Sequence, residues 1–206
     1  MAKSSSSKRW LQEHFTDQYV QQSKKDGFRS RAAYKLIELN NKYKLFKPGM
    51  TLVDLGAAPG GWSQAALSIL KDEGKVFALD ILPMDPIAGV TFIQGDFTED
   101  TPYQELLKLT ANDCIDWVIS DMAPNFSGNK TTDQTKSIYL VELAIAFAQE
   151  TLQPHGSFLA KAFHGKGFEK LVKSLKSQYK QVIISKPDAS RARSSEVYLI
   201  ARDKNQ

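Results

Sequence analysis

A glycine-rich segment, VDLGAAPGGWSQ over Val53–Gln64, is the part of the sequence with the clearest chemical meaning. It has the pattern of an apolar strand, a tight bend and a helix start. Bare backbone at such a bend lets a ligand approach closely, and the helix N-terminus offers free N–H groups. Three residues separate Gly56 from Gly60, so the spacing is not G-x-G-x-x-G, and no Lys-Ser/Thr pair of a Walker loop follows. The segment therefore favours a ligand other than a pyrophosphate.

Acidic residues follow the next two apolar runs. Asp80 lies 24 residues after Gly56, where a carboxylate accepts hydrogen bonds from ribose hydroxyls in doubly wound sheets. Asp96, in QGDF, can accept from an exocyclic amine, and Trp62 can pack over the same ligand. Each of these is also compatible with a turn, cap or core residue. Together with the glycine bend they predict a nucleoside-like ligand without phosphates, and S-adenosylmethionine fits that description.

Four ionisable residues, far apart in sequence, are predicted to converge on one edge of the sheet. Asp121 directly follows the fourth apolar run, Lys161 follows the fifth, and Glu196 begins the last one. Ligands of open α/β sheets bind at the carboxyl ends of the strands. An antiparallel last strand would begin at that same edge, which brings Glu196 to the other two. Lys35, in SRAAYKL, lies on a helix before the first strand.

The elements that must position these residues follow from the apolar periodicity. Strands are predicted at 51–55, 76–80, 90–93, 115–120, 157–160, 182–185 and 197–201, with helices at 10–23, 62–70, 102–109, 135–152 and 167–179. A further helix, capped by Ser30, turns Ala33, Leu36, Ile37 and Leu39 inward. Alternating strands and helices predict a doubly wound, mostly parallel seven-stranded sheet. Because no helix separates the last two strands, they should pair antiparallel.

Composition places the chain among globular proteins of ordinary size. It has 206 residues, 42% hydrophobic and 24% charged, with no signal peptide pattern and no apolar run long enough to span a membrane. The single cysteine, Cys114, excludes an internal disulfide and a cysteine-based zinc site. We therefore predict a cytoplasmic protein, with no metal and no membrane partner, that acts as a monomer.

Charge is segregated along the chain in three blocks. Residues 1–50 carry 11 basic and 4 acidic side chains, residues 51–160 carry 5 and 15, and residues 161–206 carry 11 and 4. Two basic ends therefore bracket an acidic middle. The basic ends suit a polyanion such as nucleic acid, and the acidic middle suits a cationic ligand.

The sequence resembles the FtsJ-type ribosomal RNA 2′-O-methyltransferases over nearly its whole length. The matching segments are RWLQEHF, RSRAAYKL, LFKPGM, VDLGAAPGGWSQ, LPMDP, QGDF, SDMAPN and KPDASRARSSEVY. The resemblance implies a Rossmann-like methyltransferase fold that uses S-adenosylmethionine. It also implies methylation of the 2′-hydroxyl of a uridine in the A-loop of 23S rRNA, in the large (50S) ribosomal subunit.

The same resemblance implies roles for individual residues. The family's Lys-Asp-Lys-Glu tetrad falls on Lys35, Asp121, Lys161 and Glu196, and its cofactor contacts fall on Gly60, Trp62, Asp80, Asp96 and Asp121, beside which we place Gly56. From their Ser/Lys composition, residues 1–9 are predicted to form a flexible tail, and residues 10–206 are predicted to form one methyltransferase domain. Within that domain, 10–49 is a helical, RNA-facing segment and 50–206 is the core.

Methyl transfer to a ribose needs a group that removes the hydroxyl proton as the new bond forms. A lysine can accept this proton only when neutral, and free lysine has a pKa of about 10.4. Burial, an adjacent sulfonium and a second lysine favour the neutral form. We expect Lys161 to be the acceptor, with Lys35 nearby and with Asp121 and Glu196 holding its direction. In the alternative, Lys161 stays charged and only steers the oxygen.

Basic residues flank the predicted catalytic residues in sequence. They are Lys24, Lys25, Arg29 and Arg31 before Lys35, and Lys186, Arg191 and Arg193 before Glu196. We expect phosphate contacts there, which position RNA without reading its sequence. Phe28 and Phe126 are candidates to stack an unpaired base, although either can belong to the core.

Three other functions are compatible with parts of this pattern. A cap-type mRNA 2′-O-methyltransferase shares the tetrad, but the compact chain shows no dedicated cap-stacking extension. An RNA-binding protein with a non-functional cofactor pocket has no need to bring four ionisable residues together. A nicotinamide-dependent oxidoreductase is disfavoured by the glycine spacing.

Overall fold

A computed structural model describes residues 17–71 and 73–205. The predicted tail at 1–9 and the predicted helical residues 10–16 lie outside the described residues. Within the described part of the chain, no helix combines the length and the apolar character needed to cross a membrane.

The central element is a seven-stranded sheet with the strand order β3-β2-β1-β4-β5-β7-β6. Its strands are β1 (Thr51–Leu55), β2 (Lys75–Asp80), β3 (Val90–Gln94), β4 (Ile115–Ser120), β5 (Leu152–Phe163), β6 (Tyr179–Ser185) and β7 (Glu196–Lys204). The pairs among β1 to β5 are parallel, whereas β7 runs antiparallel to both β5 and β6. The predicted doubly wound sheet with an antiparallel last strand is confirmed.

Helices cover both faces of this sheet. They are α1 (Gln18–Asp26), α2 (Ala32–Tyr43), α3 (Gly61–Leu70), α4 (Asp100–Thr110), α5 (Lys130–Thr151) and α6 (Phe168–Gln178). One core cluster packs α2 and α3 against the sheet, and a second packs α4, α5 and α6 against its other face. Every residue of β1 is buried, as expected for a strand covered on both sides.

The two N-terminal helices begin differently from the prediction. The backbone of Asp17 is extended and its carboxylate accepts from the N–H of Tyr19, so α1 starts after Asp17 and does not run through it. The predicted break at Gly27 is confirmed, since this residue ends α1 with φ of 78°. Ser30 does not cap α2, which begins after Arg31 without a side-chain cap. Instead the hydroxyl of Ser30 lies against the backbone of Gly61, at the start of α3.

Two elements of the second half are longer than their apolar runs. α5 begins at Lys130 because Asn129 caps it, accepting from the N–H groups of Thr131 and Thr132. β5 begins at Leu152, ahead of an irregularity in its pairing with β4. Its other end reaches Phe163, beside the start of β7.

Candidate active site

The glycine bend joins the ends of three neighbouring strands. The N–H of Gly56 donates to the carbonyl of Leu79 at the end of β2, and the N–H of Asp121 donates to the carbonyl of Leu55 at the end of β1. Gly56 has φ of 79°, and a Cβ at this position would lie 2.6 Å from Met122 Cγ. A residue with a side chain therefore cannot replace Gly56 without moving the segment after β4.

Asp80 and Asp96 are fixed by backbone N–H groups. The carboxylate of Asp80 accepts from the N–H of Ala58 at 2.9 Å and from that of Leu82 at 2.8 Å. Asp96 Oδ1 accepts from the N–H of Thr98 at 2.8 Å and from its hydroxyl at 2.7 Å. These bonds hold both carboxylates in place at the carboxyl ends of β2 and β3.

A cavity of about 660 Å³, which we call the nucleoside cavity, lies beside the bend and is within the size range of small-molecule sites. Its lining contains the predicted residues Gly56, Asp80, Asp96 and Asp121, with Ile81, Leu82, Met122 and Tyr139 among the apolar and aromatic side chains. Three carboxylates and a glycine bend that only bare backbone can form suit a cationic nucleoside such as S-adenosylmethionine.

The predicted position of the Trp62 ring over the ligand is wrong. The ring is buried in the core, 5.7 Å from the ring of Tyr198, and its indole N–H donates to the carbonyl of Ala32 at 2.9 Å. Packing between α2 and α3 takes up this side chain. Only the backbone of Trp62, in the first turn of α3, remains as a possible contact, because N–H groups there have no partner within the helix.

The structure shows a buried carboxyl below the bend that the sequence analysis did not predict. Asp54 is fully buried in β1, and its Oδ2 accepts from the hydroxyl of Ser63 at 2.7 Å. Burial raises the pKa of Asp54 to about 7; the bond from Ser63 opposes this, and the nearby charges of Asp121 and Asp80 add to it. An acidic residue inside the apolar run TLVDL was the available signal.

The four predicted catalytic side chains come together as two ion pairs. Lys161 Nζ lies 3.1 Å from Asp121 Oδ1 and also donates to the backbone carbonyl of Asp121. Lys35 Nζ lies 2.8 Å from Glu196 Oε1, and both side chains are 12% exposed. Asp121 thus contacts the Lys161 amine through both its carboxylate and its backbone carbonyl. Glu196, in contrast, pairs with Lys35 and not with Lys161.

Tyr198 links the two ion pairs and was not predicted from the sequence. Its hydroxyl donates to Asp121 Oδ1 at 2.9 Å, and its ring centroid lies 5.7 Å from Lys35 Nζ. Burial raises the pKa of Tyr198 far above its ordinary value, and the charges of Asp121 and Glu196 add to this. The phenol therefore remains a donor to Asp121. Its position two residues after Glu196, on the same face of β7, was the signal that could have found it.

The environment of Glu196 keeps this carboxylate charged. Burial alone raises the pKa of Glu196, but the charge and hydrogen bond of Lys35, together with the charge of Lys161, bring it below its ordinary value. At neutral pH the tetrad therefore contains Glu196 as an anion beside two amines.

One face of α2 holds the segment that carries Glu196. Arg31 donates to the carbonyl of Ala189 at 2.6 Å, and Glu38 accepts from the N–H of Ala189 at 3.0 Å. Glu38 also accepts from the hydroxyl of Tyr19 at 3.0 Å. Arg31 directly precedes α2 and Glu38 lies within it, about one turn to either side of Lys35, so this part of the chain positions both members of the Lys35–Glu196 pair.

The basic residues predicted to contact RNA differ in their surroundings. Arg29 donates to the carbonyls of Pro59, Asp85 and Pro86, and so ties the glycine bend to the segment after β2. Arg31 pairs with Asp17 at 2.9 Å in addition to its bond to Ala189. Both guanidinium groups thus have structural partners within the protein.

The other predicted RNA contacts lie nearer the surface. Lys24 and Lys25 lie in the last turn of α1 and are exposed. Before β7, Arg193 is exposed and Arg191 is half-buried. Lys186 is exposed, but its amine donates to the carbonyls of Ala192 and Ser194 and braces its own segment.

Of the two candidate stacking rings, only one is well exposed. Phe28 is half-buried and packs edge-on against Tyr34, next to the core. Phe126 is 61% exposed. The described residues contain no group of three His, Cys, Asp or Glu side chains arranged to hold a metal ion.

A doubly wound sheet with a nucleoside cavity beside a Lys-Asp-Lys-Glu set defines the class of protein as a methyltransferase. The family model of FtsJ-like methyltransferases matches residues 28–204. The chain belongs to the FtsJ-like methyltransferase family, which confirms the predicted family and S-adenosylmethionine as the predicted cofactor.

Curated relatives match almost the whole chain. The ribosomal RNA large subunit methyltransferase E of Cellvibrio japonicus (strain Ueda107) is 55% identical over 202 residues, 98% of this chain and 96% of that protein. The protein of the same name from Hydrogenovibrio crunogenus (strain DSM 25203 / XCL-2) is 56% identical over 204 residues, 99% of each chain.

Solved structures share the fold. A ribosomal RNA methyltransferase from Plasmodium falciparum is 34% identical and has a TM-score of 0.77. The match covers 86% of this chain and 98% of that one. Fibrillarin from Aeropyrum pernix, solved with bound S-adenosyl-L-methionine, is 15% identical with a TM-score of 0.57, covering 84% of this chain and 74% of that one. At that identity fibrillarin supports the fold alone.

Proposed function

We propose that this protein methylates the ribose 2′-hydroxyl of a uridine in the A-loop of 23S rRNA, within the large ribosomal subunit. The names of relatives at 55–56% identity support a large-subunit rRNA substrate. The observation that carries the ribose chemistry is the buried amine of Lys161, held by Asp121 at the edge of the nucleoside cavity. We also propose that the protein acts in the cytoplasm, as a monomer.

The residues proposed to hold the cofactor line the cavity or lie at the start of α3, which Gly60 directly precedes. Asp80 serves the ribose hydroxyls and Asp96 the exocyclic amine of the base, while Gly56, Gly60 and the Trp62 N–H supply close backbone approach. Asp121 faces the cationic end. When bound, S-adenosylmethionine supplies a methyl group activated by its positively charged sulfur.

Lys161 is the proposed proton acceptor for the 2′-hydroxyl. General-base catalysis requires the neutral form of this amine. Asp121 orients the Lys161 amine through two contacts, and Tyr198 in turn holds Asp121. Glu196 forms an ion pair with Lys35, and this pair fixes the position of the Lys35 amine. The 2′-hydroxyl is then held in one orientation toward the methyl group. Orienting two bound reactants in this way is a large part of how enzymes accelerate reactions.

The RNA is proposed to lie across the edge that carries the tetrad. Lys24, Lys25, Lys186, Arg191 and Arg193 are the proposed phosphate contacts from the two basic groups. Arg29 and Arg31 belong to the same groups, but both are half-buried and bonded to backbone carbonyls, so we assign them to shaping the site. Lys186 also donates to carbonyls, but it is exposed and stays among the proposed phosphate contacts.

The test is to map the methyl group after the reaction. Purified protein is incubated with labelled S-adenosylmethionine and with large ribosomal subunits from cells that lack the enzyme. The 23S rRNA is then digested and analysed by mass spectrometry. We expect one methyl group, on the 2′-oxygen of an A-loop uridine. A methyl group on a base, transfer only to capped mRNA, or no transfer to subunits would contradict the proposal.

A further inference from the structure

A second cavity, of about 860 Å³, lies between the N-terminal half of α5 and the segment that joins β5 to α6. We call it the aromatic groove. Its lining includes Phe126, Tyr139, Phe163 and His164 together with Lys130, Lys166 and Lys170. None of these residues belongs to the tetrad or to the predicted cofactor contacts, so the methyl-transfer site leaves this groove unexplained.

The aromatic groove adjoins the tetrad and the nucleoside cavity. Phe163, which lines the groove, is the sheet partner of Glu196 and follows Lys161 by two residues. The segment after β4 separates the two cavities, since 121–125 line the nucleoside cavity and Phe126 lines the groove. Tyr139 lines both. A polymer whose reacting unit sits at Lys161 can therefore place a neighbouring unit in the groove.

The groove exposes two aromatic side chains to solvent. Phe126 is 61% exposed and Tyr139 is 50% exposed. Phe163 contacts the Phe126 ring edge-on, with 5.6 Å between ring centroids and an angle of 87°. Phe126 is thus supported by another ring while most of its surface stays open. Aromatic side chains of this kind provide stacking surfaces for unpaired bases, whatever the base identity.

The charge around the groove suits a phosphate backbone. Lys130, Lys166 and Lys170 are all exposed at its rim. Of the two acidic side chains in the lining, Asp133 accepts hydrogen bonds from the N–H groups of Ser127 and Gly128, which occupy both of its oxygens. Glu142 is the other. The three exposed lysines therefore outnumber the two carboxylates, of which Asp133 is held by backbone N–H groups.

We propose that the aromatic groove binds an unpaired nucleotide adjacent to the methylated one. Its base stacks on Phe126, and its phosphate contacts Lys166 and a neighbouring lysine of the rim. This inference rests on the proposed function, because the occupant is a flanking nucleotide of the same RNA.

Steady-state kinetics with large ribosomal subunits test the stacking contact. Phe126→Ala should raise KM for subunits about 5- to 150-fold, the range expected for loss of one stacked base, with kcat and S-adenosylmethionine affinity retained. Phe126→Tyr should restore KM, because a phenol ring stacks equally well. Ile184→Ala, at a 45% exposed side chain on β6 outside the groove, is the matched control and should keep the wild-type KM.

The phosphate contact is tested through salt dependence. Lys166→Gln should reduce the slope of log affinity against log salt by about 1, as expected for the loss of one phosphate contact. Lys108→Gln, at an exposed lysine of α4 outside the groove, should leave the slope unchanged.

Photo-crosslinking identifies the occupant directly. Full-length protein with p-benzoylphenylalanine at position 126 should crosslink to 23S rRNA within a few nucleotides of the methylated position. A crosslink only to a ribosomal protein, or a wild-type KM for Phe126→Ala, would overturn the inference while wild-type methyl transfer continues. If the wild-type protein transfers no methyl to subunits, the proposed function itself fails.

Discussion

Lys35 and Glu196 form an ion pair of 2.8 Å, although one lies on the second helix and the other begins the last strand. The pair joins the two basic ends of the chain across the edge of the sheet where β1, β4 and β5 end. The N-terminal helical segment is therefore a structural part of the tetrad, and its connection to the sheet has measurable consequences.

The Lys35–Glu196 pair should make stability depend on pH. The pKa of Glu196 is lower in the folded protein than its ordinary value of 4.5. Its contribution is therefore fully present above that value and is lost as pH falls through the folded pKa. We expect Glu196→Gln to lower the free energy of unfolding by about 1 kcal/mol at pH 7. The difference from wild type should shrink below about pH 4 in denaturant unfolding. A difference that grows on acidification would contradict the pairing.

Tyr198→Phe should separate orientation of the tetrad from packing. The ring stays between Trp62 and Lys35, but Asp121 loses its phenolic donor. We expect stability to fall by about 1 kcal/mol and kcat to fall about tenfold, with the KM for S-adenosylmethionine nearly unchanged.

Tyr103→Phe is the matched control for this variant. In the wild-type protein the hydroxyl of Tyr103, on α4, donates to Glu150 at 2.8 Å. This variant therefore also loses a hydroxyl bound to a carboxylate, but away from the tetrad. It should lose less stability, because its hydrogen bond is exposed, and it should keep its kcat. Equal kcat values for the two variants would contradict a role of the Tyr198 hydroxyl in orienting the tetrad.

Asp54→Asn should stabilise the protein more at alkaline than at acidic pH. Because the pKa of Asp54 is raised to about 7, the folded state holds this proton more tightly than the unfolded chain. Wild-type stability therefore falls as pH rises from about 4 to about 7, and an asparagine does not ionise. The melting temperature of Asp54→Asn, relative to wild type, should rise between pH 5 and pH 8. A constant difference would show that the carboxyl is ionised throughout.

Arg31 and the lysines of α1 should respond differently to replacement. Arg31→Ala removes the bonds to Asp17 and Ala189, and we expect it to cost about 2 kcal/mol of stability while leaving the salt slope of RNA binding near the wild-type value. Lys24→Ala with Lys25→Ala should instead reduce that slope by about 1 per lysine, with little effect on stability. If Arg31→Ala instead reduces the salt dependence of RNA binding, Arg31 contacts a phosphate of the RNA.

The convergence of the tetrad was predictable because it follows from topology. Carboxyl ends of parallel strands share one edge, so Asp121 and Lys161 had to be neighbours. The antiparallel β7 brought Glu196 to them. The same argument placed Asp80 and Asp96 along the nucleoside cavity, where the structure has them.

The details that depend on side-chain packing were not predictable in this way. Trp62 has the size and position of a ligand-stacking residue, but the space between α2 and α3 takes up its ring. Arg31 has the charge of a phosphate contact, but Asp17 and Ala189 lie within its reach. The sequence carries a signal for both Asp54 and Tyr198, but their roles depend on buried neighbours that only the three-dimensional arrangement reveals.

The rate of methyl transfer by Lys161→Ala tests the central claim most directly. It is measured in a single turnover with large ribosomal subunits across a range of pH, with S-adenosylmethionine affinity measured alongside. Lys204→Ala is the control, since that half-buried lysine also donates to backbone carbonyls but lies at the far end of β7. We predict a rate about 100- to 10,000-fold below wild type for Lys161→Ala, the range for loss of a general base, with cofactor binding intact. A Lys161→Ala rate close to that of Lys204→Ala would contradict the assignment of Lys161 as the group that takes the hydroxyl proton.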